Sequence, residues 1–389
     1  MKFLHTIKGL NIEAGGLTTA TYDLVSSLNE LGCQTDLLSG GELRSNKETL
    51  AYDSFIKVVP FDNRTPLGFA PRMRLFLEQE SDYALYHTNG LWVHINHLSA
   101  VVAQKKVKPY IISPHGMLYP EALGRHYWKK WLLLKLWFRK DIQRATCLHC
   151  TCNEEAYYCR KLGFTCPIAV IPNPVFVPQY IPDIIKRNED NNGRFGRLRV
   201  GFIGRLHPRK RVERLLEAWK NFIDKPDGSE LIIIGTGEKH YLDMLQNYVS
   251  TYKLRNVFFT GQLEGAEKFE MLATLRTCFV PSNFENFGMI IPEALMVGTP
   301  VLASTRTPWQ DLNFCHCGWW NQADVPDILK IMRLSLDSHN DDMLKSMGRN
   351  GQNLVYHRFA SEVVAKKMVS LYMDSIQGKL NDNETVIFK

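Results

Sequence analysis

Apolar and polar positions along this chain form two successive series in which short strand-like runs alternate with stretches of helical pattern. In the first half, each apolar run is followed by a loop, a helical stretch or a boundary; the runs are KFLHTI, TDLLSG, ALYHTNG, PYIISPHG, ATCLHCTC and PIAVIPN. Alternation of strands and helices predicts a parallel sheet that helices cover on both faces. The first half is therefore expected to be one α/β domain.

The pattern lapses over residues 178–198, which are rich in Pro, Asn, Gly and charged residues, and this stretch is predicted to be a linker. A second series then begins, with the strands RVGFIG, LIIIG, VFFTG, CFVPS and PVLAST separated by helical stretches. We expect two doubly wound, Rossmann-like domains over residues 1–177 and 199–359, with the last helix, about 360–389, packing back on the first. Ligands of such sheets bind beyond the carboxyl ends of the strands, so the expected site is a cleft between the domains.

Length and composition agree with this interpretation. A chain of 389 residues is long for one core, and 45% hydrophobic with 22% charged residues is typical of a soluble globular protein. No window approaches the roughly 18 unbroken apolar residues of a membrane span, and the N-terminus resembles a first strand more than a cleavable signal. Nine cysteines in a long chain favour a reducing compartment. We therefore expect a cytoplasmic protein.

The net charge of +7 is concentrated in one aromatic-rich segment, residues 125–144, RHYWKKWLLLKLWFRKDIQR. Seven Arg or Lys and a single Asp give this segment a local charge of +6. Nucleic-acid binding usually spreads cations along a groove, so the concentration favours an anionic membrane surface at the inner face of the cell membrane. A helical wheel shows no clean polar face, and a half-buried helix whose lysines extend to solvent is the alternative.

Some chemically suggestive residues are interpreted as structural. The segment CLHCTC has cysteine and histidine as densely spaced as in a metal site. Successive residues of a strand, however, point to opposite faces of the sheet. Cys147 and Cys150 are therefore expected to diverge as ordinary buried thiols. His87 is expected to be a satisfied structural histidine, with a place on the acceptor side of the cleft as the alternative. Trp309 is expected to pack in the core or between the domains, with a platform for a sugar ring as the alternative.

Two loops carry features that suit an anionic ligand. Gly15 and Gly16 lie between the first strand and a helix, where glycine lets backbone amides approach a ligand and the helix N-terminus favours an anion. The segment GFIGRLHPRK places Arg205 and Lys210 after the first strand of the second domain, before a helix. A guanidinium, an ammonium and free helix amides suit a diphosphate. Neither the nucleoside-triphosphatase phosphate loop nor the dinucleotide fingerprint is present.

Two glutamates lie in the apolar segment FENFGMIIPEALMVGTPVLAS. Because Pro292 has no amide proton, it is tolerated only in the first turn of a helix, and the helix is predicted to begin near residues 288–290. Glu285 then lies in the preceding loop and Glu293 in the first turn. Carboxylates accept hydrogen bonds from sugar hydroxyls and are favoured at a helix N-terminus. The alternative is that both glutamates only cap the helix and complement its dipole.

Taken together, these stretches resemble the family 4 retaining glycosyltransferases, which have the GT-B fold of two Rossmann-like domains. The glutamate segment is similar to the family's E-x7-E motif, GFIGRLHPRK to its G-R-x-x-x-x-K motif, SPHGML to its first-domain histidine strand end, and VIPNPV to its end-of-domain turn. One departure is Pro174, where the family often has glycine. The resemblance covers nearly the whole chain, and the SPHGML and TPW segments are most like those of bacterial polysaccharide-assembly enzymes.

The resemblance implies a role for each charged residue of the second domain. Glu285 would contact hydroxyls of the donor sugar, and Glu293 would contact the ribose of the nucleotide. Arg205 and Lys210 would hold the diphosphate and stabilise its charge as the glycosidic bond breaks. Preorganised cations of this kind commonly contribute on the order of 10²-fold or more in rate.

Further positions match the family around the donor. The amides of Phe287, Gly288 and Met289 would assist the cations from the helix end. His115 would lie near the donor sugar, and Gly16 beside the phosphates and the acceptor.

The implied activity is that of a retaining, hexosyltransferase-type enzyme acting on a nucleoside-diphosphate-sugar. The acceptor would be a saccharide or lipid-linked saccharide of capsule, O-antigen or exopolysaccharide synthesis. No Asp-x-Asp occurs in the sequence, so we expect neither a metal nor another cofactor. No first-domain carboxylate is evident as a nucleophile, which suits a front-face mechanism through a short-lived oxocarbenium–diphosphate ion pair.

Other activities would use some of the same residues. A retaining glycosidase needs two carboxyls roughly 5 Å apart, but hydrolysis gives Arg205 and Lys210 no role. A nucleotide-sugar epimerase would share the fold and the phosphate site. A catalytically silent nucleotide-sugar-binding subunit would keep the site without turnover. No nucleic-acid partner is expected.

Overall fold

The computed structural model describes residues 1–10, 16–40, 54–59, 71–79, 82–380 and 384–387. The chain divides into two compact units, one formed by Met1–Pro174 together with Ser361–Lys389 and the other by Val175–Ala360. Within these described ranges, no helix is both long enough and apolar enough to cross a membrane.

The first unit is built on a sheet whose strands before residue 175 all pair in parallel. Its strands are β1 Lys2–Ile7, β2 Gln34–Gly40, β3 Ile56–Val59, β4 Tyr83–Asn89, β5 Tyr110–Ser113, β6 Cys147–Cys150 and β7 Ile168–Val170. Its helices are α1 Gly16–Glu30, α2 Pro71–Gln79, α3 His94–Lys105, α4 Pro120–Gly124, α5 Tyr127–Leu133, α6 Arg139–Gln143 and α7 Asn153–Lys161. The strand order is β7-β6-β5-β4-β1-β2-β3, so the order reverses between β4 and β1.

The central strands of this sheet are buried because helices cover both faces, as the apolar runs of the sequence predict. Successive residues of β6 contribute to different clusters of the core. Cys150 packs with α3 and α7 residues, whereas Cys147 packs with residues on the other side of the sheet, and both are free thiols. The predicted divergence of these two cysteines is confirmed.

The second unit repeats the architecture. Its strands are β8 Arg199–Ile203, β9 Glu230–Ile234, β10 Val257–Gly261, β11 Thr277–Val280, β12 Val301–Ser304 and β13 Gly318–Asn321. Its helices are α8 Ile181–Asp190, α9 Val212–Asn221, α10 Lys239–Thr251, α11 Gly265–Thr274, α12 Ile290–Met296, α13 Asp311–Phe314, α14 Val325–Leu336 and α15 Asp341–Leu354. The parallel order β10-β9-β8-β11-β12-β13 is the Rossmann order, and its reversal lies between β8 and β11.

The end of the chain returns to the first unit. Helix α16, Ser361–Gln377, packs beside α1 and covers one face of the first sheet with Val364, Met368 and Leu371. Strand β14, Val386–Ile387, pairs antiparallel with β7 and so closes that edge of the sheet. The first unit is thus made from both ends of the sequence.

The structure differs from the sequence prediction at residues 178–198, which are not a linker. They contain α8, whose buried Ile181 and Ile184 pack against α11, and they belong to the second unit. Arg194 is also buried there and donates to the carbonyls of Ala273 and Val297. Most charged residues of α8 lie on its exposed side, and this composition conceals the apolar stripe of the helix.

The basic segment 125–144 forms α5, a helical turn over Leu134–Phe138, and α6. One stripe, Leu134, Phe138 and Ile142, is buried in the first unit. The other faces are open to solvent, and Trp128 is 77% exposed. The segment is therefore a half-buried helix whose exposed surface combines aromatic and cationic side chains.

Candidate functional site

The charged residues predicted for the donor site follow the two strands at which the order of the second sheet reverses. Arg205 and Lys210 follow β8, and Glu285 and Glu293 follow β11. Loops that leave neighbouring strands on opposite sides of such a reversal leave a crevice at the carboxyl edge of the sheet. The two loops are joined by a backbone hydrogen bond of 2.8 Å, in which the amide of Asn283 donates to the Arg209 carbonyl.

Lys210 and Glu285 form an ion pair in this crevice. Their side chains are only 16% and 12% exposed. Lys210 ends a short helical turn, Pro208–Lys210, that His207 caps by accepting from a backbone amide. The structure thus brings together two of the side chains that the sequence analysis singled out.

Glu293 is bound by a lysine that the sequence analysis did not single out. The Lys268 ammonium on α11 lies 2.8 Å from the Glu293 carboxylate, and each side chain is 22% exposed. Lys268 reaches Glu293 because α11 packs against α12, and no sequence motif marks this contact. A lysine in the first turn of a helix, where a cation opposes the dipole, was the only available signal.

Helix α12 begins at Ile290 with Pro292 in its first turn, as predicted. Before it, Gly288 has φ = 81°, a conformation that favours glycine. The Phe287 carbonyl accepts from the buried indole of Trp309, which confirms Trp309 as a core residue. Within the described residues, the amides of Phe287, Gly288 and Met289 donate to no other group.

Arg205 is exposed and follows Gly204 at the end of β8. The Gly204–Leu206 backbone lies directly against the loop after β9. A Cβ atom on Gly235 would lie 2.0 Å from the Gly204 carbonyl oxygen, and one on Gly237 would lie 1.8 Å from that of Leu206. The glycines of GTGEKH, which do not match the dinucleotide fingerprint, thus permit two backbones to pack closely.

In the first unit, His115 follows β5 in a strained backbone conformation, with φ = 49°. The next residue, Gly116, donates its amide to the carboxylate of Glu155, which is buried and also accepts from the Thr151 amide at 2.7 Å. The His115 Nε2 atom lies 3.3 Å from Asn89 Oδ1. The loop after β5 is therefore held both by the backbone amide of Gly116 and by the side chain of His115.

Burial, with smaller contributions from the neighbouring His149 and His5, lowers the pKa of His115 to about 3. His115 is therefore neutral at physiological pH. Burial raises the pKa of Glu155, although its hydrogen bonds to backbone amides oppose the shift. Sequence reasoning missed Glu155 and Asn89, since they reach the His115 loop from other elements, Glu155 from α7 and Asn89 from the end of β4.

Other predicted positions have simple placements. Gly16 is the first residue of α1 and is exposed, whereas Gly15 lies outside the described residues. His87 is fully buried and hydrogen-bonded to Tyr372 and Ser113, which confirms the structural interpretation. In the parts of the chain that the structure describes, no group of three or more His, Cys, Asp or Glu side chains is arranged to hold a metal ion.

Comparison with known families matches both units. Residues 14–177 match the model described as Glycosyltransferase Family 4, and residues 185–313 match the model of Glycosyl transferases group 1. Together the two matches cover well over half of the chain.

Curated relatives share segments of this chain. A GDP-mannose-dependent alpha-mannosyltransferase of Mycolicibacterium smegmatis is 33% identical over 141 residues, 35% of this chain and 32% of that protein. The capsular polysaccharide biosynthesis glycosyltransferase CapM of Staphylococcus aureus is 23% identical over 177 residues, 44% of this chain and 45% of that protein. The matched segments thus span less than half of the length of these relatives.

Solved structures match over nearly the full chain. The crystal structure of Anabaena Alr3699/HepE in complex with UDP superposes with a TM-score of 0.73 at 17% identity and covers 96% of this chain and 100% of that one. A likeness at this identity shows the fold, which is GT-B. With both units matched by family models, the chain belongs to glycosyltransferase family 4.

Proposed function

We propose that the protein is a retaining, hexosyltransferase-type glycosyltransferase that moves a sugar from a nucleoside-diphosphate-sugar to a saccharide or lipid-linked saccharide during synthesis of a surface polysaccharide. The observation that carries the proposal is the Lys210–Glu285 pair at the strand-order reversal of the second sheet, one turn before α9. The name of CapM, and the UDP bound to HepE, support the pathway and the class of donor.

Each charged side chain has a role in this reaction. Lys210 and Arg205 bind the diphosphate and neutralise the charge that develops as the bond to the anomeric carbon breaks. Glu285 accepts from hydroxyls of the donor sugar, and Glu293 accepts from the ribose. The unpaired amides of Phe287–Met289 bind phosphate oxygen, since backbone N–H groups at a helix start favour an anion.

The ion pairs suggest how donor binding proceeds. Lys210 is bound to Glu285, and a diphosphate is a stronger acceptor of charge-assisted hydrogen bonds than one carboxylate. On binding, Lys210 exchanges its partner, and the released Glu285 oxygens accept from sugar hydroxyls. The two cations supply the charge that a divalent metal supplies elsewhere, so we propose a metal-independent reaction.

His115 and Gly16 complete the proposed site. We assign neutral His115 to the donor sugar and Gly16 to the phosphates and the acceptor. Both oxygens of the buried Glu155, the carboxylate nearest His115 in the hydrogen-bond pattern, are occupied by neighbouring donors. Glu155 is therefore a support of the loop rather than a nucleophile, in keeping with a front-face mechanism.

A thermal-shift screen against UDP, GDP, ADP and their sugar conjugates tests the donor site. We expect one nucleoside diphosphate to raise the melting temperature, and Arg205→Ala to abolish the shift. Release of that nucleotide from its sugar conjugate in EDTA, with retained anomeric configuration in the product, tests the chemistry. Binding without turnover in the presence of acceptor lipids would instead indicate a silent subunit.

We further propose that residues 125–144 hold the enzyme at the anionic inner face of the cell membrane, where a lipid-linked acceptor resides. Exposed Trp128, Trp131 and Leu136 suit the headgroup boundary, and the surrounding lysines and arginines suit anionic lipids.

Sedimentation with vesicles tests this surface. We expect binding to phosphatidylglycerol vesicles, loss of binding in high salt, and weaker binding for Trp128→Ser. Phe314→Ser is the control, since Phe314 is an aromatic residue with 74% exposure in the second unit. Equal binding of Trp128→Ser and Phe314→Ser to phosphatidylglycerol vesicles, or equally strong binding of the natural sequence to neutral vesicles, would contradict the proposal.

A further inference from the structure

A continuous chain of side-chain hydrogen bonds crosses the interior of the first unit and ends at His115. Its members, in order, are the Ile171 carbonyl, His149, Ser113, His87, Tyr372, His5, Asn89 and His115, at successive distances of 2.8, 2.7, 2.6, 2.6, 2.7, 3.2 and 3.3 Å. Between the two ends, every side chain is buried. The chain joins residues in or just after five strands to α16, which carries Tyr372.

One end of the chain fixes the position of each proton. The Ile171 carbonyl only accepts, so His149 donates from Nε2 and its Nδ1 accepts from the Ser113 hydroxyl. Ser113 has then given its single proton, and its oxygen accepts from Nε2 of His87. His87 Nδ1 in turn accepts from the hydroxyl of Tyr372.

The other end requires the same direction. The Thr6 carbonyl lies 3.3 Å from Asn89 Nδ2, which orients the amide so that its nitrogen donates to Thr6 and to His5 Nδ1. His5 therefore donates from Nε2 to the Tyr372 oxygen. Asn89 Oδ1 is left facing His115 Nε2, which donates. With neutral histidines, one arrangement of protons satisfies every bond, and a reversed bond would place two donors or two acceptors together.

We propose that Asn89 and Tyr372 are positioning residues that hold His115 in the tautomer with its proton on Nε2, so that Nδ1 can only accept a hydrogen bond. Only the ligand of Nδ1 depends on the proposed function: there, Nδ1 accepts from a hydroxyl of the donor sugar. Because the chain is buried, water is a poor substitute for a lost member, and the α16 hydroxyl acts on His115 through two intermediates.

Nitrogen-15 NMR of the full chain, labelled at histidine, tests the tautomers directly. We expect His5, His87, His149 and His115 to be neutral at pH 7 with protons on Nε2, the His115 signals being those lost in His115→Asn. A proton on Nδ1 of His115, or a charged His115 at pH 7, would overturn the proposal. This measurement needs no substrate, so it stands apart from any failure of the proposed activity.

Tyr372→Phe tests the link to α16, with Tyr86→Phe as the matched control. Both tyrosines are fully buried, but the Tyr86 hydroxyl has no partner among the described residues. We expect Tyr372→Phe to mix the tautomers of His5 and His87 and to lower kcat about 10-fold with little change in KM for the donor. Tyr86→Phe should change neither. Unaltered histidine spectra in Tyr372→Phe would overturn the role of Tyr372.

Asn89→Asp is a second variant that does not depend on the fold tolerating a lost tyrosine hydroxyl. The carboxylate keeps an acceptor for His115 but has no proton to give His5 or Thr6. We expect the pKa of His115 to rise toward its ordinary value, with a matching shift in the pH dependence of kcat. An unchanged His115 titration in this variant would contradict its positioning by Asn89.

Discussion

Each glutamate of the candidate donor site is bound by a lysine, and the two pairs are partly shielded from solvent. The side chains of Lys210 and Glu285 are 16% and 12% exposed, and those of Lys268 and Glu293 are each 22% exposed. Removing one partner of such a pair leaves the other charge poorly solvated and unpaired. Substitutions here therefore affect both the free energy of unfolding and ligand binding, and tests must separate the two.

Lys210→Met is expected to lower kcat for transfer by on the order of 10²-fold or more, because a preorganised cation no longer meets the leaving diphosphate. Steady-state assay with the donor found in the thermal-shift screen measures this effect. Lys186→Met, which removes an exposed lysine of α8, is the control and should keep the rate within about 2-fold. A Lys210→Met enzyme with a near-normal rate would remove this residue from the reaction.

Lys268 and Glu293 are expected to be energetically coupled. A double-mutant cycle of Lys268→Met and Glu293→Gln, read by urea unfolding, should give a coupling free energy of about 0.5–1 kcal/mol or more, since the pair is only partly exposed. If the two substitutions change the free energy of unfolding by strictly additive amounts, the contact is too well solvated to stabilise the fold. Donor KM measured on the same four proteins reports whether the ribose contact depends on the pair.

At the scale of the element, the loop that carries Arg205 rests on the backbone of the loop after β9. The contacts of Gly235 and Gly237 leave no room for a side chain, because the obstructing atoms are carbonyl oxygens of the Gly204–Leu206 backbone. Two successive strand ends are thereby held as one rigid support for the cation-bearing loop. The glycine spacing has a structural cause even though it does not mark a nucleotide loop.

Gly237→Ala is expected to destabilise the second unit by about 2 kcal/mol or more and to weaken nucleotide binding, because the new methyl group displaces the loop of Arg205. Urea unfolding and the thermal shift with nucleotide measure the two effects. Gly124→Ala is the matched control, because a Cβ atom there meets nothing within 4 Å. If both variants unfold at the same urea concentration, the close contact is not rigid.

Sequence pattern predicted most elements, because a strand buried on both faces is a continuous apolar run. It failed where the apolar residues were diluted or few. Helix α8 buries only Ile181 and Ile184 among charged and polar neighbours, and β13 is a four-residue edge strand. The site residues Glu285 and Lys210 belong to recognisable motifs. Asn89, Glu155 and Lys268 do not, since their roles arise from contacts between separate elements that sequence spacing does not encode.

At the scale of the whole molecule, the first unit contains four histidines whose pKa values are held far below the ordinary range. Burial is the largest cause for each. The pKa falls to about 3 for His5 and His115, to about 4 for His149, and well below its ordinary value for His87. The ring centroids of His5 and His87 are 4.5 Å apart, so protonating both rings would set two cations close together. The folded state therefore keeps these rings neutral.

The free energy of unfolding is expected to fall as the pH drops from about 6.5 toward 3. Unfolded histidines take up protons near pH 6.5, whereas the folded rings stay neutral down to about 3, so the unfolded state binds more protons in this window. Each such histidine costs up to about 1.4 kcal/mol per pH unit. Burial raises the pKa of Glu155, which acts in the opposite direction at pH values just above the ordinary pKa of a carboxyl group, where the folded state binds the additional proton.

Urea unfolding at pH 7.5, 6.0 and 5.0 measures this dependence. His149→Gln should reduce the slope of stability against pH, although it also lowers stability at pH 7.5. His339→Gln, which removes a histidine with a 92% exposed side chain, is the control for the loss of one imidazole at the surface. A flat profile for the natural sequence between pH 7.5 and 5.0 would show that the rings are already charged or hydrated when folded.

The return of α16 to the first unit has a consequence for biosynthesis. His87 and Tyr372 are hydrogen-bonded but lie 285 residues apart in the chain. At about 5–20 residues per second, the ribosome makes the histidine roughly 15–60 s before its partner, with the complete second unit in between. During translation the part of the first sheet that α16 covers stays exposed, and the second unit is free to fold first. A nascent chain arrested before Ser361 is thus a natural client for a chaperone that recognises apolar surface.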